Sequence, residues 1–273
     1  MPMVHLPTGV HLHYLDPNPQ GRPVVLLLHG LGATGESWSF QFPALMEAGM
    51  RPLAPDLRGF GRSSFSGSWT IPEVVSDLKA LLDHLGLSSV HVVGISMGGA
   101  VALAFGLTHP EYTRSLVLVN TFARLRPQAR TYPYFLLRFL LVFLLDVKLQ
   151  ARMVARRIFP RPEQEALRQA LIAQVAQAHP RAYRLAMWRL ARFNVHPRLK
   201  EVRAPTLVVT GGRDTTVLPE VQRELVEGIP GARHRVFPEA GHGLTAEAPE
   251  AFNRVLLAFL QEVEARFPAG RGG

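Results

Sequence analysis

Ser96 stands between two glycines at the end of an apolar run, Val90-His91-Val92-Val93-Gly94-Ile95-Ser96-Met97-Gly98-Gly99-Ala100, and is the hydroxyl best set up for nucleophilic chemistry. The run reads as a strand, a sharp turn and the start of a helix, which would lift the serine to the strand's end in a strained backbone conformation. Gly94 and Gly98 suit that bend because a side chain at either position would collide across it. The N–H groups and positive dipole end of the following helix would lie under the serine, where an oxyanion develops. By itself the pentapeptide also describes a Gly-rich strand-to-helix turn with a serine in it. A serine hydroxyl further needs a base within hydrogen-bond reach, oriented by a third group. Downstream the chain offers Asp214, closing Gly211-Gly212-Arg213-Asp214 at a strand end, and His242, in a loop after the next strand.

The surrounding elements must hold these three residues together. Val24–Leu28, Val90–Ile95, Ser115–Asn120 and Pro205–Thr210 are continuous apolar runs, as expected for strands buried on both faces of a parallel sheet. Val10–Leu15 alternates after Pro7-Thr8-Gly9 and reads as the second strand of an N-terminal hairpin, with His11 and His13 on one face. Two histidines at that spacing could hold a metal only with a third ligand, which is not evident, so a solvated or half-buried face is expected. A helix is expected from Gly35 through about Ala48, and a short strand and long polar loop over 52–63. Ile71, Val74, Val75, Leu78, Leu81, Leu82 and Leu85 keep helical spacing, with Pro72 in the first turn. Strands alternating with helices at this rhythm argue for an open, mostly parallel sheet covered on both faces. Between Thr121 and about Pro197 the rhythm breaks into helical runs at Tyr134–Val154, Glu163–Ala178 and Arg181–Asn194. That segment reads as a helical insertion lying as a cap over the strand ends. Helices follow at Val217–Glu227 and from about Pro249 to Phe267, ahead of a Gly-Arg-Gly-Gly tail expected to be disordered.

Composition narrows the chemistry. The chain has 273 residues and no cysteine, which excludes disulfides, thiolate catalysis and Cys-ligated zinc. Of its net charge of +9, residues 121–200 carry 16 Lys/Arg against 3 Asp/Glu, and the remainder 14 against 18. The basic character belongs to the cap, without the interleaved aromatic and basic pattern of a nucleic-acid module, so no nucleic-acid partner is expected. Met1-Pro2-Met3-Val4-His5 has no basic region leading into an apolar one, and a cytoplasmic location is expected.

Taken in order, His29-Gly30 after a buried strand, Asp56-Leu57-Arg58-Gly59-x-Gly61-x-Ser63, Gly94-Ile95-Ser96-Met97-Gly98-Gly99, Gly211-Gly212-Arg213-Asp214 and Gly241-His242 carry a resemblance over nearly the whole chain. The chain resembles an α/β-hydrolase-fold serine hydrolase with a cap between its sixth and seventh strands. The resemblance implies a core formed by residues 1–120 and 198–273, and a cap at 121–197. It implies that Ser96 attacks an acyl carbon, His242 moves the proton and Asp214 holds the imidazole. It implies an oxyanion hole made by the backbone N–H groups of Leu31 and Met97, and no metal or organic cofactor. Asp56 lies two strands too early for the triad acid and is expected to brace its loop, as is His29. Asn120 occupies a strand end where some relatives keep the acid, but a neutral amide cannot stabilise an imidazolium. His234 is expected to be satisfied or exposed, and His109 to end a helix before Pro110. Relatives that dehalogenate alkanes or open epoxides use aspartate at the elbow, so Ser96 argues against those activities. Enol-lactone and carbon–carbon-bond hydrolases share the serine but usually carry a longer Gly-rich loop than His29-Gly30-Leu31-Gly32.

The cap bears on the substrate. Residues 134–145 are apolar on every side of a helix except at Arg138, and too few to span a bilayer. A helix apolar all round must find cover in the cap core and pocket, on a partner subunit as a homodimer, or on a lipid surface. The expected function is hydrolysis of carboxylic esters with hydrophobic acyl or alkyl groups. The alternatives are an enol-lactone or carbon–carbon hydrolase with the same triad, and a non-catalytic binding protein on the same fold.

Overall fold

The computed structural model describes residues 2–125, 132–144 and 147–266. Its framework is one eight-stranded sheet of strands β1 (Met3–His5), β2 (His11–Leu15), β3 (Val24–Leu28), β4 (Arg51–Pro55), β5 (Val90–Ile95), β6 (Thr113–Val119), β7 (Thr206–Gly211) and β8 (Arg233–Phe237). The spatial order is β1-β2-β4-β3-β5-β6-β7-β8, antiparallel where β1, β2 and β4 meet and parallel from β4 onward.

The apolar runs are strands buried on both faces because the pleat sends successive side chains to opposite sides. On β3, Val24, Leu26 and Leu28 join one core while Val25 and Leu27 join another. The first core receives α2 (Ile71–His84) and α3 (Met97–Thr108); the second receives α1 (Phe42–Glu47) and α10 (Pro249–Arg266). α2 has a side-chain cap: Thr70 Oγ1 accepts from Glu73 N–H, and Glu73 accepts from the Thr70 hydroxyl in return. α3 lies in the heart of the molecule, with every residue from Met97 to Leu107 buried.

One local expectation is corrected. The helix expected from Gly35 to Ala48 is instead a 3₁₀ turn, Gly35–Trp38, followed by α1. Pro43 sits in the first turn of α1, and its missing N–H forbids a helix running through it. The loop after β4, expected to be polar and braced by Asp56, is buried at Asp56, Leu57, Arg58 and Phe60. Its polar groups satisfy one another. Asp56 accepts from the N–H groups of Gly35 and Arg62 and faces His13 Nδ1 at 2.9 Å, while Arg58 holds Asp77 with two hydrogen bonds.

Between β6 and β7 the chain builds α4 (Tyr132–Leu144), α5 (Val147–Ile158), α6 (Glu165–Gln177) and α7 (Pro180–Ala191). The run expected as a helix over Tyr134–Val154 is helical at Tyr132–Leu144 and Val147–Ile158; residues 145–146 lie outside the described residues, as does the tail from Phe267. Where the insertion leaves and rejoins the sheet its ends are joined: Arg124 bridges Asn194, and Val195 N–H donates to the Ala123 carbonyl at 2.9 Å. α8 (Pro219–Gly228) and the short α9 (Leu244–Glu247) complete the chain. Among the described residues no helix is long and apolar enough to cross a membrane.

Candidate active site

Ser96 joins β5 to α3 with φ 54° and ψ −116°, a left-handed conformation that a non-glycine residue adopts only when its surroundings force it. The two flanking glycines make the turn feasible. A Cβ on Gly94 would overlap the Gly98 carbonyl, and one on Gly98 would overlap the Leu28 carbonyl at the end of β3. Thr121 secures the bend from the far side, its hydroxyl donating to the Ser96 carbonyl at 2.6 Å.

The three residues singled out from the sequence meet at one point. His242 Nε2 lies 3.0 Å from Ser96 Oγ, and His242 Nδ1 lies 2.7 Å from Asp214 Oδ2. Asp214 and His242 are buried, and Ser96 is half-buried. The Asp214 carboxylate has its other acceptor sites filled: Oδ1 takes the N–H groups of Thr216 and Val217 at 2.7 and 2.9 Å, and Gln222 Nε2 donates to Oδ2. A carboxylate so held accepts the Nδ1 proton, which leaves the Nε2 lone pair facing the serine hydroxyl.

The His242 loop is held by a residue whose sequence reading did not reach this role. Asn120 donates from Nδ2 to the carbonyls of both Gly241 and His242 at 2.9 Å and accepts from Gly211 N–H at 2.7 Å. It thereby ties together the ends of the strands that carry Asp214 and His242, with its own backbone at φ 45°. The signal was an asparagine at a buried strand end, a residue type tolerant of positive φ.

The loop after β3 brings its backbone beside the serine: a Cβ on Gly30 would lie 3.7 Å from Ser96 Cβ. Leu31 and Met97 both line the cavity in front of Ser96, and Met97 opens α3, where an N–H has no partner within the helix. His29 is fully enclosed; its Nδ1 donates to the Gly30 carbonyl at 2.8 Å and its Nε2 accepts from Leu57 N–H at 2.9 Å. Burial lowers its pKa and keeps it neutral, and its two ring nitrogens link the loops after β3 and β4. His234 is exposed, with Nε2 3.0 Å from the Thr210 hydroxyl, and His109 caps α3. His11 is exposed against His5, whereas His13 is buried on Asp56, more deeply than its sequence position suggested. Among the described residues no three His, Asp or Glu side chains form a metal-binding cluster.

Over the serine lies a cavity of about 250 Å³ that Ser96, His242 and the helices of the insertion line. Its walls include Phe135, Phe139, Val154, Ile158, Leu171 and Met187, together with Arg138. The two sides of α4 therefore differ. Phe135, Arg138, Phe139 and Val142 share the inward face, and Leu136, Leu137, Leu140 and Phe143 are exposed on the other.

The eight-stranded sheet, the serine at the β5–α3 turn, and the acid and histidine after β7 and β8 define an alpha/beta hydrolase. The chain belongs to the alpha/beta hydrolase fold family, whose model matches residues 23–249. It is 34% identical to RutD of Caulobacter sp. (strain K31), a candidate carbamate hydrolase, over 88% of this chain and 91% of that protein. It is 31% identical to a 2-hydroxy-6-oxo-6-phenylhexa-2,4-dienoate hydrolase of Burkholderia cepacia, over 90% of each chain. Among solved structures, a thermophilic esterase from Thermogutta terrifontis superposes with a TM-score of 0.82 at 26% identity, covering 96% of this chain and 99% of that one.

Proposed function

We propose that this protein is a serine hydrolase cleaving carboxylic esters with apolar acyl or alkyl groups through an acyl-enzyme. The observation that carries the reading is the Ser96–His242–Asp214 chain, at 3.0 and 2.7 Å, on the floor of a largely apolar cavity. His242 Nε2 takes the Ser96 proton as Oγ bonds to the acyl carbon, and Asp214 stabilises the imidazolium so formed. The carbonyl oxygen becomes an oxyanion between the N–H groups of Leu31 and Met97, where each donor contributes about 3 kcal/mol to the transition state. Collapse of the adduct breaks the acyl–oxygen bond, and His242 returns its proton to the departing alcohol. A water molecule, deprotonated by His242, then attacks the acyl-enzyme and releases the carboxylic acid and Ser96.

Acyl-chain profiling with p-nitrophenyl esters, alongside Ser96→Ala, tests this. The parent protein turns over medium-chain esters and reacts with a fluorophosphonate at Ser96; the variant does neither. If the parent protein hydrolyses no ester but turns over a vinylogous diketone or an enol-lactone, the ester reading falls. The second reading, carbon–carbon or enol-lactone hydrolysis by the same residues, then stands, and the similarity to the dienoate hydrolase favours it. Failure of well-folded protein to label would leave a binding protein.

A further inference from the structure

We infer that Arg138 is a carboxylate-recognition site in the wall of the catalytic cavity, and that the substrates carry an anionic carboxylate, remote from the scissile bond, on an otherwise apolar body. This deepens the hydrolase reading and rests on it. Arg138 is 8% exposed, on the inward face of α4, and lines the same cavity as Ser96 and His242. One Nη2 hydrogen bond goes to the Tyr183 hydroxyl at 3.0 Å, an oxygen that also receives Gln150 Nε2 at 2.9 Å. Nε is buried without a hydrogen-bond partner, and among the described residues no carboxylate pairs with the guanidinium.

Two other buried arginines show what this chain does when a guanidinium is only structural. Arg51 is held by Asp16 through Nε and Nη2, and Arg58 is held by Asp77 in the same two-pronged way. Arg138 has neutral phenol and amide neighbours in their place. A guanidinium stays protonated in proteins, so its charge is buried in a wall of Phe135, Phe139 and Met187. An unpaired buried charge is costly, and the planar fork matches a carboxylate better than any neutral group. Tyr183, which Gln150 in turn holds, takes Nη2, and Tyr134 lies beside the guanidinium; among the described residues no carboxylate completes the fork. A purely hydrophobic ester would leave the charge as it is, whereas a half-ester of a dicarboxylic acid would place its free carboxylate there and its scissile carbonyl at Ser96.

The test compares two esters with the same leaving group: the mono-4-nitrophenyl esters of the C4 to C8 dicarboxylic acids, and the same compounds capped as methyl esters. At the best chain length, kcat/KM of the parent protein is expected to favour the free acid at least 10-fold. In Arg138→Gln that ratio falls to one or below, and Arg138→Lys restores part of it. A parent protein that prefers the capped ester at every length overturns the proposal, and so does a ratio that survives in Arg138→Gln. If Arg138→Gln does not fold, the ester pairs on the parent protein decide. Failure of the hydrolase reading looks different: neither ester is cleaved and no fluorophosphonate adduct forms. Calorimetry of hexanoate against hexanamide on Ser96→Ala, with and without Arg138→Gln, then reads the site without turnover. Preference for hexanoate that depends on Arg138 supports it, and equal binding refutes it.

Discussion

Replacing Asn120 isolates the link between the strand ends and the His242 loop. Its amide makes three hydrogen bonds, two to consecutive carbonyls of the loop and one from Gly211 N–H. Each buried partner left without a bond costs about 1 kcal/mol or more, so Asn120→Ala should lose about 3 kcal/mol. Alanine at φ 45° adds about 1 kcal/mol of backbone strain, and Asn120→Gly does not. The glycine variant is therefore the more stable of the two by about 1 kcal/mol, although both lack the same bonds. Activity falls for another reason. His242 Nε2 must stay near 3.0 Å from Ser96 Oγ, and a shift of about 1 Å in such a group costs about 100-fold in rate. Urea unfolding gives the stability differences, and kcat on a p-nitrophenyl ester together with the fluorophosphonate labelling rate gives the positional effect. Both variants should lose 10- to 100-fold in kcat while remaining folded. Variants within twofold of the parent in kcat and within about 1 kcal/mol in stability would refute the claim that the amide holds the loop.

Two further predictions concern parts remote from the serine. Arg58→Met leaves Asp77 as an unpaired buried carboxylate and should cost about 3 to 5 kcal/mol in urea unfolding; Arg58→Met with Asp77→Leu should recover most of it. His91 is buried between the Ser115 hydroxyl and Glu264, whose carboxylate Arg114 also engages, and burial pushes its pKa down to about 4. The unfolded chain therefore takes up this proton first as pH falls, so the stabilising contribution is full above pH about 6.5 and lost on the way down to about 4, roughly 3 kcal/mol in all. Chemical unfolding across that range should show the slope in the parent protein and a smaller one in His91→Gln.

Legibility in the sequence followed the range of the physical constraint. The elbow at Ser96 could be read because its glycine requirement is local to five residues. The doubly buried strands could be read because a continuous apolar run has few other uses. Arg138 stood out as the one charge on α4, but apolar periodicity without a polar face cannot orient a helix, so its place in the cavity wall had to come from the packing of α4 on α7. Asn120 was weighed only as a substitute acid, since its partners lie about 90 and 120 residues away in the chain. The burial of the polar loop after β4 was out of reach for a related reason: Asp56, Arg58 and their partners neutralise one another only once β2 and α2 are beside them.

The joined ends of the insertion have a consequence for how such a molecule diversifies. β6 and β7 are hydrogen-bonded neighbours, and Arg124 clasps Glu224 on α8 while its backbone bridges Asn194. The excursion is thus pinched shut at its root, and because loop-closure entropy grows only slowly with length, segments of different size can be grafted there at similar thermodynamic cost. Selection can rewrite what enters the cavity, including whether a cation sits in its wall, while the β6–β7 pairing at the root is kept.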